Sequence, residues 1–91
     1  MLLTFRMLLI LDVINRRNSD GSLVDLDQLI ERVSYDVTKQ AIQHSLRAML
    51  EKGVIEKAGR EKRRDRSRMT YRVTKLGHDL IRAPSGKIID D

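Results

Sequence analysis

The apolar residues of this chain fall into separated groups, and their spacing switches from helical to extended and back. Leu2, Leu3, Phe5, Met7, Leu8, Leu9, Ile10, Leu11, Val13 and Ile14 form the densest group. With good helix formers and no Gly or Pro, they predict a first helix over Leu2–Asn18. The cluster Asn18-Ser19-Asp20-Gly21-Ser22 ends it as a turn. These apolar positions cover most of the helix circumference, and such a helix is buried on more than one side. Two arrangements do that: a central core helix of a monomer, or a helix that packs partly against a second subunit. A chain this short has little protein to surround it, so the expectation is a homodimer formed through this helix.

Further along, Leu23-Val24-Asp25 reads as a short strand. Asp25 then serves as the cap of a second helix over Leu26–Ser34, where its carboxylate accepts from free backbone N–H groups. Leu26, Leu29, Ile30 and Val33 share one face of that helix, and Asp27 and Glu31 suit its dipole. Ser34–Val37 is a turn. Thr38 caps a third helix, Lys39–Lys52, which Gly53 ends. Ile42, Leu46, Met49 and Leu50 form its buried stripe, with Lys39, Gln40, Gln43, His44 and Arg47 opposite. Val54–Ala58 and Met69–Thr74 alternate as strands. Between them Gly59–Arg68 is expected to be a long polar hairpin tip. A last helix, Lys75–Ala83, is expected to turn Leu76, Leu80 and Ile81 inward. From Pro84 the chain reads as a loose tail, which divides it into a folded domain 1–83 and a flexible segment 84–91.

Composition sharpens this outline. Aromatic residues make up only 3% of the 91, so the core has to be aliphatic, which favours helices over a large sheet. The fold class is therefore mainly α with a small β-hairpin, an α+β domain. There is no Cys, which excludes disulfides, thiolate metal sites and a cysteine nucleophile and fits a cytoplasmic setting. The apolar stretch Met1–Ile14 is too short to span a bilayer and carries Arg6 and Asp12.

Charge changes the picture most. The net charge is +5, but residues 37–76 carry +8, against −2 before them and −1 after them. Arg60–Arg68 alone holds six basic and two acidic residues. Like charges packed so densely repel one another until an anion neutralises them. Nucleic acid is the first candidate partner and an anionic membrane surface the second.

No other chemistry competes. His44 and His78 are the only histidines and lie on different predicted helices, so a metal site is not expected. Asp25 and Asp27 are better explained as helix-start carboxylates than as an acid/base pair. No phosphate-cradling glycine loop or nucleophile elbow is present. Neither enzyme activity nor a cofactor is expected. Tyr35 and Tyr71 are too few to form a base-stacking platform and read as packing residues.

The order of helix, strand, helix, turn, helix, strand, hairpin tip, strand, helix resembles the winged helix-turn-helix of small bacterial, archaeal and phage transcription regulators. Leu46-Arg47-Ala48-Met49-Leu50-Glu51-Lys52-Gly53-Val54-Ile55 is similar to that family's run from recognition helix into first wing strand. Tyr71-Arg72-Val73-Thr74-Lys75-Leu76-Gly77-His78-Asp79-Leu80-Ile81 is similar to the segment leaving the wing, with Val73 where the family often has Leu. The turn Ser34–Val37 is about two residues longer than the family's tight turn. Among subfamilies, the MarR-like regulators of drug-resistance operons and the PadR-like repressors are the nearest.

The resemblance implies a three-helix core plus wing and a double-stranded DNA partner at the nucleoid. Lys39, Gln40, Gln43, His44 and Arg47 would face the major groove, where Gln can pair with adenine and Arg with guanine. Thr38 and Lys39 at the helix start would meet phosphate. Arg60, Lys62, Arg63, Arg64, Arg66 and Arg68 would form a wing on the backbone or in the minor groove. If about four to six phosphates are neutralised, log K falls with log salt at a slope near −4 to −5 per subunit. A solvated helix face and a solubility-promoting loop remain the plain alternatives for these two features. A phage or plasmid excision or replication factor, or a protein-interaction module, are the alternative functions.

Overall fold

Thr4 decides where the first helix begins. Its backbone is extended and its hydroxyl accepts from the Met7 N–H at 3.1 Å, so it is the N-cap. The computed structural model describes residues 3–33, 37–63, 66–82 and 88–89. Within these the order is β1 (Leu3–Thr4), α1 (Phe5–Arg16), α2 (Leu26–Val33), α3 (Lys39–Lys52), β2 (Ile55–Arg63), β3 (Arg66–Val73), α4 (Lys75–Arg82) and β4 (Ile88–Ile89). This is a small α+β domain of four helices and a two-stranded antiparallel hairpin.

α1 is shorter than the expected Leu2–Asn18 at both ends. At its C-terminal end Asn18 is diverted into the loop: its N–H donates to the Ser22 carbonyl at 2.9 Å and its carbonyl accepts from Gly21 at 2.9 Å. The helix has already ended one residue earlier, where Arg17 turns out of helical backbone at φ 61°. α1 packs against α2, α3, α4 and β3. Met7, Ile10, Leu11 and Ile14 are buried and Leu8, Leu9 and Val13 half-buried, so the chain itself covers most of that apolar circumference. Phe5 is the exception, at 55% exposure.

Asp25 caps α2 as expected, and Gln28 returns the bond. Gln28 N–H donates to Asp25 Oδ1 at 2.9 Å, and Asp25 N–H donates to Gln28 Oε1 at 3.1 Å. This reciprocal pair satisfies two otherwise orphan donors. It also explains why Leu23–Asp25 is not the strand expected there. Side chains occupy its polar groups, leaving a single bridge between Asp25 and Thr70 and one bond from Tyr71 N–H to the Val24 carbonyl at 3.1 Å.

α3 has the expected bounds. Thr38 Oγ1 accepts from Ala41 N–H at 3.1 Å. Gly53 sits at φ 77°, donating to the Leu50 carbonyl at 3.1 Å while Val54 donates to the Met49 carbonyl at 3.2 Å. That two-bond ending needs a left-handed residue, which glycine adopts without penalty. Ile42, Leu46 and Met49 pack with Leu29, Val33, Val24, Val54, Ile55 and Tyr71 into the core. Tyr71 is thus a packing residue, while residues 34–36 of the expected turn Ser34–Val37, Tyr35 among them, lie outside the described residues.

The hairpin corrects the expected loop. β2 and β3 stay paired from Ile55↔Val73 to Arg63↔Arg66, with one irregularity between Lys57 and Gly59. Thr70 Oγ1 donates to the Gly59 carbonyl at 2.8 Å beside it. Most of Gly59–Arg68 is therefore strand, and only residues 64–65 at the tip are outside the described set. α4 corrects the expected inward face: Leu80 is half-buried, but Leu76 and Ile81 are 40% and 39% exposed. Gly77 faces the core instead, because a Cβ there would overlap the Val54 carbonyl oxygen and lie 2.6 Å from Val73 Cγ1. Ile88 and Ile89, assigned by the sequence to the tail, pair in parallel with Leu3 and Thr4. No helix among the described residues is long and apolar enough to cross a membrane.

Candidate nucleic-acid interface

Two surfaces gather the residues singled out by the sequence. The first is the outer side of α3. The stripe Ile42, Ser45, Leu46 and Met49 is buried, which turns Lys39, Gln40, Gln43, His44 and Arg47 to solvent. All five are exposed. Among the described residues none of these five side chains makes a hydrogen bond or ion pair. The ridge therefore offers donors and acceptors that the fold does not consume. Thr38 is exposed at its start, with its hydroxyl oxygen already accepting the Ala41 N–H.

The second surface is the hairpin, and here the six basic residues are not equivalent. Cross-strand partners share a face of a sheet. The pairs Glu61↔Arg68 and Arg63↔Arg66 thus lie on one face, and Arg60↔Met69 and Lys62↔Ser67 on the other. The first face looks at α2 across an open cleft of about 460 Å³ lined by Asp25, Asp27, Gln28, Glu31, Arg63, Arg66 and Arg68. The second carries the exposed Arg60 and Lys62. Arg64 is outside the described residues.

Arg63 is committed to the fold. Its Nη1 donates to Asp25 Oδ2 at 2.7 Å and Gln28 Oε1 at 3.0 Å, and its Nη2 to the Leu23 carbonyl at 2.7 Å and Glu61 Oε2 at 2.5 Å. Burial alone would disfavour its charge, but the Glu61 and Asp25 bonds outweigh that and raise its pKa above the ordinary value. Asn18 joins the same cluster, donating to Gln28 Oε1 at 3.2 Å and the Leu23 carbonyl at 3.2 Å while accepting from Arg32 at 2.6 Å. Arg68 is held more lightly, by an ion pair with Asp27 Oδ2 at 2.8 Å.

Sequence reasoning placed Asp25 and Asp27 at the start of α2 and stopped there. The reciprocal Gln28 was visible as Asp-x-x-Gln. The Arg63–Asp25 pair spans 38 residues and has no local signal. Ile14, Asn15, Arg17, Arg72, Val73 and His78 line a smaller depression of about 160 Å³. Among the described residues no group of three or more His, Cys, Asp or Glu could hold a metal. No protein-family model matches the chain, and no curated protein matches it.

Proposed function

We propose that this chain is a double-stranded DNA-binding transcription regulator with a winged helix-turn-helix layout. α3 would enter the major groove, which admits one helix and presents distinguishable base edges. The hairpin would lie on the adjacent backbone or in the minor groove as the wing. The observation that carries the reading is the α3 ridge, five polar side chains exposed on a helix whose opposite stripe is core, none of them used by the fold. A cationic hairpin extending from the same small domain supports it. Gln43 and Arg47 are assigned to base reading, Lys39 to phosphate at the helix N-terminus, and Arg60, Lys62 and Arg66 to the wing's phosphate contacts. Arg63 is removed from that set because its donors are occupied.

The regulator would act as a homodimer, placing two α3 helices about 34 Å apart on a palindromic site. Phe5 on α1, and Leu76 and Ile81 on α4, are the large apolar side chains left exposed among the described residues, and α1 packs against α4. Selection of bound duplexes from a random pool, followed by titration, tests the whole reading. Gln43→Ala and Arg47→Ala should each cost about 1–3 kcal/mol on the selected site and little on random DNA. Equal losses on both would mean that these residues do not read bases.

A further inference from the structure

The inner face of the hairpin is already met by acid. Arg63 and Arg68 lie on that face, yet the structure holds them differently. Arg63 has four acceptors, and its partner Asp25 is only 5% exposed. Among the described residues Arg68 has one ion pair, with Asp27, whose side chain is 52% exposed. Ion pairs open to water to that degree are weak and exchangeable. Asp27 is also spare as far as α2 is concerned, because Asp25 and Gln28 complete the cap. A carboxylate and a phosphate present similar oxygen pairs to a guanidinium, and either can be gripped by its fork.

We infer that Asp27 occupies on Arg68 the place that a DNA phosphate takes when the hairpin engages the duplex. The acidic first turn of α2 is then an internal competitor for the wing. This rests on the DNA-binding reading above. The cleft between α2 and the hairpin is open and of small-molecule size, about 460 Å³, and Arg66 lines it beside Arg68. A phosphodiester entering there meets Arg66 and Arg68 together, and the Asp27 carboxylate leaves for water. Once released, the Asp27 carboxylate stays near the duplex unpaired, and its charge adds to the cost of the exchange.

The test is duplex affinity against salt for the full chain. Asp27→Asn should bind about two- to fivefold more tightly with the salt slope little changed, because Arg68 neutralises the same phosphate in both chains. Asp12→Asn is the matched control: the same charge change, at a side chain also 52% exposed and also paired to an arginine, Arg16, at 3.0 Å. Arg68→Gln should abolish the gain in the double variant. A gain no larger than that of Asp12→Asn, or one that survives Arg68→Gln, overturns the inference alone. A wild-type chain that retains no duplex at about 50 mM salt overturns the DNA reading and this inference with it.

Discussion

At Arg63 one guanidinium meets two carboxylates, an amide oxygen and a backbone carbonyl. Removing it strands the Asp25 carboxylate, which is nearly fully buried. Arg63→Ala should therefore cost about 2–4 kcal/mol, read as a lowered denaturation midpoint, and Arg63→Lys only part of that restored, because an ammonium cannot span the fork. Gly77 makes a second residue-scale prediction. Gly77→Ala forces a methyl against the Val54 carbonyl and should cost about 1–3 kcal/mol through overpacking. Tyr71 makes a third. Its burial raises the phenol above its ordinary value of 10.0, with the nearby Arg60 opposing in a smaller measure. The unfolded chain then ionises first, so the stability Tyr71 contributes is whole below pH 10 and is lost as pH rises through the folded value. Denaturation midpoints measured across that range should fall more steeply for the wild type than for Tyr71→Phe.

Among the elements, α3 was the most legible in the sequence, because Thr38, Gly53 and the apolar stripe are local signals that agree with one another. The far half of the hairpin was less so. Glu61, Lys62 and Arg63 carry no apolar alternation, so nothing in the pattern announces a strand. They are held extended by cross-strand bonds and by an arginine reaching to residues 38 positions away. α4 shows another limit: Leu76 and Ile81 have helical apolar spacing, but spacing does not say which face the rest of the chain covers. The wing prediction follows from the two hairpin faces. Arg60→Gln with Lys62→Gln should leave thermal stability unchanged and flatten the salt dependence of DNA binding by about two. Arg63→Gln should do the reverse, lowering stability first. An unchanged slope in the Arg60, Lys62 variant would take the outer face out of the interface.

For the whole molecule, the open question raised by the sequence was how so apolar a first helix could be covered. The chain answers most of it, wrapping α1 with α2, α3, α4 and β3. What remains exposed among the described residues is Phe5 on α1, with Leu76 and Ile81 on α4. Phe5→Asp should convert the proposed dimer to a monomer by sedimentation while keeping the helical circular dichroism signal. A monomeric wild type at micromolar concentration would remove dimerisation from the reading.

An isolated two-stranded ribbon is only marginally stable in water. Here Asn18, Leu23, Gln28 and Arg63 join the α1–α2 loop, the start of α2 and the far end of β2 in one hydrogen-bonded knot. A knot of that kind makes the α1–α2 segment and the far end of the hairpin open together or not at all. In native-state hydrogen exchange the amides of Asp25, Gln28 and Tyr71 should share a single opening free energy, and Arg63→Ala should lower all three in step.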